Sequence, residues 1–199
     1  MANLPIRISR YLQEYSRSIH FALSILVGLL LVEVDPYWKD SGELLAAYGT
    51  GGIPHPTGFP LLAAIGNFFG QLPLGNAVLR VNLLSLISGA LVVSILFGLL
   101  KSQAGTSLGR TVLVSLFSLG LLLPRTMWMH LIGAEVYMPS LLMVAAMISL
   151  SLQHLGSAKK DDIRPVSLLI LLAGFASVPH ITALATCVCS LLFIPAFDR

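Results

Sequence analysis

The sequence predicts an all-α fold, a polytopic bundle of about six transmembrane helices with interfacial helices in its first outer loop. Three observations predict it. Apolar residues make up 56% of the 199 and charged residues only 11%, with mean hydropathy +0.86. Soluble domains carry about 25% charged residues, and a water-soluble globule of this length could not cover itself with so few. The apolar residues fall into separable runs, and the basic residues are distributed unevenly between the loops that join them.

The predicted spans are Ser18–Val34, Leu79–Leu100, Arg110–Pro124, Val136–Leu155, Val166–Val178 and Ile181–Phe197. A span needs roughly 20 residues, fewer where the bilayer thins, so the third and fifth are short. The first follows Arg17 and resembles a signal peptide. No small-residue cleavage site follows Leu31–Asp35, which favours a retained anchor. With the N-terminus in the cytoplasm, Arg7, Arg10, Arg17, Lys101, Arg110, Lys159, Lys160, Arg164 and Arg199 lie inside. Lys39, Arg80 and Arg125 lie outside, a positive-inside bias of nine to three. The net charge of +3 is explained by this orientation, and no nucleic-acid partner is expected. The whole chain, 1–199, reads as one membrane domain.

Residues 35–78 form the first extracytoplasmic loop, too long for a plain connector. Its apolar residues and the Tyr37-Trp38 pair suit one or two helices lying along the bilayer, with a Gly/Pro segment between them. Leu61–Leu72, bracketed by Pro60 and Pro73, reads as interfacial or re-entrant. Within the loop, Asp40-Ser41-Gly42-Glu43 reads as a capping box, Asp40 accepting from the N3 amide and Glu43 reaching back. Two carboxylates at i, i+3 also share one face of a helix start, where one can act as general base or metal ligand while the other orients it. Pro56 and Pro60 push His55 and Phe59 towards extended geometry. That predicts a rigid bend, which either folds the loop back or holds His55 near the acids.

Further along, Arg80 and Asn82 begin the second span and Arg125 ends the third. Either arginine alone reads as snorkelling, but guanidinium also matches phosphate oxygens. Glu135 lies at the lip of an apolar run, which makes it a site candidate as well as an N-terminal helix signal. Trp128 and His130 read as an interfacial belt, and His180 falls at the outer end of the fifth helix. Cys187 and Cys189, two apart, point to different faces and read as packing residues. No Walker loop or dinucleotide fingerprint is present.

The stretches "KDSGELLAAYGTGGIPHPTGFPLLAAIG", "LPLGNAVLRVNLLSLISGAL", "MWMHLIGAEVYMPSLLMVA" and "GFASVPHITALATCVCSLLFIPA" resemble, in order, the N-terminal half of a polytopic glycosyltransferase family. It is domain of unknown function 2723, which includes eukaryotic transmembrane protein O-mannosyltransferases and belongs to the GT-C superfamily. Where the family reads Gly-Asp-Ser-Gly-Glu, His-Pro-Pro-Gly-Tyr-Pro-Leu, Arg-Val-Asn and Ala-Glu-Val-Tyr, this chain keeps Asp40, Glu43, His55, Arg80, Asn82, Glu135 and Tyr137. Lys39, Thr57 and Phe59 replace a glycine, a proline and a tyrosine. The resemblance implies a GT-C-like fold, of which this chain is the N-terminal part. It implies transfer of a sugar, with mannose one option, from a polyprenyl-phosphate donor to a protein or glycan hydroxyl outside the cytoplasm. Asp40 becomes the essential acid with Glu43 beside it. His55, Arg80, Asn82, Arg125, Glu135, Tyr137 and His180 become substrate-binding candidates. The resemblance names no certain cofactor and leaves a divalent cation as an option. Two alternatives remain at this stage: a transporter or metal-handling protein using the outer Asp, Glu and His residues, and a non-catalytic subunit of a membrane complex.

Overall fold

The computed structural model describes residues 15–36, 40–55, 59–105 and 107–155. The expected fifth and sixth spans, His180, Cys187, Cys189, Tyr37, Trp38 and the Pro56–Gly58 bend lie outside the described residues. The described residues are all helical, without strands: α1 Ser16–Leu29, α2 Ser41–Thr50, α3 Pro60–Gly70, α4 Ala77–Ala104, α5 Leu108–Gly120, α6 Arg125–Ile132 and α7 Tyr137–Leu155.

The axis of the fold is α4, against which all six other helices pack. Its 28 residues give a length of about 42 Å. Asn76 caps it, accepting from the Leu79 amide at 2.8 Å, while its own amide nitrogen donates to the Val34 carbonyl at 2.8 Å. Small residues let neighbours approach closely. A Cβ on Gly89 would collide with Leu131, and one on Gly28 of α1 with Leu86. Such small-residue contacts are how helices pack where no hydrophobic effect drives them together.

Both α1 and α5 are inverted relative to helices in water. On α1 the residues turned inward are Ser16, His20, Ser24 and Gly28, four apart. Leu23, Leu26, Val27 and Leu30 face outward. The buried His20 ring stacks on Phe97 at 3.9 Å. On α5, Thr111 and Ser118 are buried, while Val112, Leu113, Leu116 and Phe117 are exposed. Six serines across these and the central helices donate their hydroxyls to the carbonyl four residues back: Ser24, Ser88, Ser115, Ser118, Ser140 and Ser151.

The predicted ends shift for physical reasons. Instead of running to Val34, α1 stops at Leu29, because the Glu33 backbone is recruited elsewhere. Its N–H donates to Ile132 O at 3.2 Å and its carbonyl accepts from Asn82 Nδ2 at 2.9 Å. The single span expected over Arg110–Pro124 ends at Gly120. After Pro124 the chain restarts as α6, bent by 68°, where the sequence suggested an outer loop. Pro124, lacking an N–H, suits the N-cap of the new helix. Among the described residues, α4 alone is long and apolar enough by itself to cross a membrane, and the bent α5–α6 pair passes the same test together. The count of six spans stays an expectation.

The first loop does form two helices. Gly51, left-handed at φ 70°, ends α2, and Pro60 opens α3. The Tyr48 ring lies on the bare backbone of Gly66, where a Cβ would collide with it, and Asn67 Nδ2 donates to Tyr48 O at 2.9 Å. This pair packs onto the start of α4 through Leu44, Tyr48, Phe59, Leu62, Val81, Ala134 and Val136. Phe59 is not extended as Pro60 suggested. It is left-handed at φ 39°, ψ 54°, a strained geometry for a bulky residue. Its buried ring, edge-on to His55 at 5.6 Å, accompanies that strain.

Candidate functional site

At the start of α2 the two carboxylates part company. Asp40 is exposed, with helical φ −75° and ψ −8°, and makes no side-chain cap hydrogen bond. The capping box does not form, because a reciprocal box needs an extended N-cap and because Glu43 is engaged elsewhere. Glu43 Oε1 accepts from the His55 backbone N–H at 2.5 Å, and Oε2 accepts from His55 Nδ1 at 2.9 Å. This clamp holds His55, four residues beyond Gly51, to the first turn of α2. The His55 hydrogen bonds, ring first and then backbone, hold the Glu43 carboxyl below its ordinary value.

A second polar group is buried beneath the opposite side of α2. Glu135 is 5% exposed. Its backbone N–H donates to Ser85 Oγ, and its carbonyl accepts from the same hydroxyl, both at 3.3 Å. His130 Nδ1 lies 4.0 Å from Glu135 Oε1, and the His130 and Tyr137 rings meet at 4.6 Å. Burial, with the Glu135 charge as a second cause, raises the Tyr48 phenol above its ordinary range. Tyr48 and His130 were not among the sequence candidates. Tyr48 sits on the apolar stripe of α2, four after Leu44. His130 meets Glu135 only because Gly133-Ala134 turns the chain between α6 and α7. The spacing of His130 and Glu135 across a glycine was the one available signal.

The remaining candidates have structural partners or lie apart. Arg80 donates through Nη1 to Leu72 O at 3.0 Å and through Nε to Asn76 O at 3.2 Å, closing the turn between α3 and α4. Asn82 is fully buried and holds Glu33 O. Arg125 is exposed at the first residue of α6. The structure thus brings together Glu43 with His55, and Glu135 with His130, Tyr137 and Tyr48. Among the described residues no three His, Cys, Asp or Glu side chains gather as a metal site would require.

Beside the second group lies an apolar cavity of about 270 Å³ between α4, α7 and the α5–α6 bend. It adjoins a pocket of about 250 Å³ lined by His130, Tyr137 and Ser140. Met127, Met138, Leu141 and Val144 border both, and the surface of each is almost wholly apolar.

A family model described as the N-terminal domain of protein O-mannosyl-transferase TMEM260 matches residues 40–198. The chain belongs to this family. The resemblance read from the motifs is thereby borne out, and the family's range takes in every candidate from Asp40 to His180, with α1 preceding it. Over 115 residues the chain is 33% identical to the mouse (Mus musculus) protein O-mannosyl-transferase TMEM260, covering 57% of this chain and 16% of that relative. The chain thus spans a small part of the relative's length. No solved structure matches.

Proposed function

We propose that this chain is the N-terminal, membrane-embedded part of a GT-C glycosyltransferase. It transfers a sugar from a polyprenyl-phosphate donor to a protein or glycan hydroxyl on the extracytoplasmic face. The family match from Asp40 to residue 198 carries this reading, and the name of the mouse relative, a protein O-mannosyl-transferase, makes mannose the sugar of first choice. The outward apolar faces of α1 and α5 support a lipid setting, since a soluble protein would bury them.

In this reading Asp40, an exposed carboxylate at the fixed start of α2, accepts the proton of the acceptor hydroxyl. The acceptor oxygen bonds to the anomeric carbon as the bond from that carbon to the phosphate oxygen breaks. The electron pair leaves with the lipid phosphate, and the anomeric centre inverts. Glu43 positions the loop through His55 and does not itself take the proton. Among the described residues Arg125, exposed at the start of α6, is the cation assigned to the departing phosphate, a type of contribution worth ~3–4 kcal/mol for a typical preorganised donor. Loss of a general base costs roughly 10²–10⁴-fold in rate. In the full-length protein, Asp40→Asn is therefore expected to cut transfer from polyprenyl-phosphate mannose by at least about a hundredfold, with membrane abundance unchanged. Near-normal transfer by that variant removes Asp40 from the role.

A further inference from the structure

Charge is divided between the two ends of α4. The acids among the described residues, Glu33, Asp35, Asp40, Glu43 and Glu135, belong to segments that bond to or pack on its start. At its other end three cations meet its last two turns. Arg17 of α1 lays its guanidinium against the bare backbone of Gly98, where a Cβ would collide with it. Lys101 Nζ donates to Gly105 O at 2.6 Å and to Thr111 Oγ1 at 2.5 Å. Arg110 Nη1 donates to Ala104 O at 3.2 Å. A helix of 28 residues outreaches a hydrocarbon core of roughly 30 Å, so these cations stand at headgroup depth.

Lys101 and Arg110 have an ordinary reason to be there, since the carbonyls at a helix C-terminus attract cations. Arg17 does not. It comes from another helix and is exposed, and the ion pairs among the described residues, Glu43–His55 and Glu135–His130, lie at the far end of α4. Yet Arg17 is held in place. Ser94 Oγ donates to its backbone carbonyl at 3.1 Å, and one turn further along α4 its guanidinium rests on Gly98. A planar guanidinium fixed in this way, with its N–H donors unspent, suits a pair of oxyanion oxygens. Arg110 spends one donor on Ala104 and has others to offer. Three cations with no carboxylate among them draw anions to this end of the bundle.

We propose that the end of α4 binds the phosphate of an anionic membrane phospholipid, with Arg17 and Arg110 holding it from α1 and α5 and Lys101 on the helix between them. The orientation expected from the basic residues puts this end in the leaflet richer in such lipids. The bound lipid ties α1, which precedes the range of the family match, to the turn between α4 and α5. This inference rests on the lipid setting read from α1 and α5 and not on the transfer reaction, whose residues lie at the opposite end.

The test uses the full-length protein in nanodiscs of mixed phosphatidylcholine and phosphatidylglycerol, both phosphodiesters but only the second with net charge. Native mass spectrometry reads the ratio of the two lipids retained, and a diazirine-tagged phosphatidylglycerol maps the contact. Phosphatidylglycerol is expected to be preferred, with cross-links at the start of α1 and the turn between α4 and α5. Arg17→Gln should cut that preference roughly tenfold, as loss of a charged hydrogen bond does, and Arg17→Lys should recover part of it. Gly98→Ala pushes the guanidinium aside, and its flexible tip can yield, so the preference should fall with little change in the thermal unfolding midpoint. Lys39→Gln removes the same charge from the first loop and should leave the preference intact, as should Asp40→Asn, which separates this proposal from the assignment of the base. Four results overturn it: no preference, an unchanged preference in the Arg17→Gln, Arg110→Gln double variant, displacement of the tagged lipid by millimolar inorganic phosphate, or carbodiimide coupling of the Arg17→Lys variant to Asp161 or Asp162. The third would assign the cations to a soluble anion and the fourth to the chain's own acids.

Discussion

Asp40 and Glu43 stand three residues apart, and the neighbours they meet give them different tasks. The spacing was legible in the sequence, as was the rigidity of the segment around His55. That His55 lies near the acids was one of two open readings, and which acid it meets was not legible, because His55 reaches Glu43 from twelve residues away. The clamp has a definite pH behaviour. Glu43's folded value lies below its ordinary 4.5, so its contribution is fully present above that value and is lost as pH falls through the folded value. Glu43→Gln removes the charge at every pH. It is expected to raise the rate at which diethyl pyrocarbonate modifies His55 at neutral pH severalfold, read by mass spectrometry. An unchanged rate would mean that the clamp does not form in solution. His130 and Tyr48 escaped notice for a related reason: each lies in a run where ordinary packing or a wet interface accounts for it, and only the folded chain sets both beside Glu135.

At the scale of the helices, sequence periodicity and length found α4 and α7, whose long apolar runs leave no other reading. The α2 and α3 pair was also legible, since Gly51 and Pro60 punctuate it. The sequence did not reveal α6. Arg125-Thr126-Met127-Trp128-Met129-His130 mixes charge, aromatics and sulfur without a clean period, and Pro124 reads equally as an end and as a beginning. The inverted burial of α1 and α5 was likewise invisible, because an outward apolar face and an inward one give the same pattern until neighbours are placed. The α2 and α3 pair depends on one close approach. Gly66→Ala forces a methyl into the Tyr48 ring, which is rigid and cannot step aside as an aliphatic tip can. Overpacking of this kind costs roughly 1–3 kcal/mol. A lowered thermal unfolding midpoint is expected, and an unchanged one would show that Tyr48 repacks freely.

For the molecule as a whole, composition settled the all-helical class, and the basic residues predict its orientation. That orientation puts the α2 and α3 pair on one side of the bilayer and the turn after α4 on the other. In a Cys187→Ser, Cys189→Ser background, Thr50→Cys and Ser102→Cys are expected to react with an impermeant maleimide from opposite faces of sealed vesicles, Ser102→Cys from the cytoplasmic one. Labelling from the same face would undo the topology and with it the placement of Asp40. The back-bonded serines carry a consequence for assembly. Each hydroxyl is already satisfied within its own turn, so to the next helix these residues are electrically quiet and behave as slightly enlarged alanines. Cohesion between α4 and its neighbours then owes nothing to these six hydroxyls and rests on how near the backbones can come and on the bonds that Asn76, Asn82 and Ser85 make across to other segments, which makes the bundle sensitive to added bulk and indifferent to the loss of any of the six.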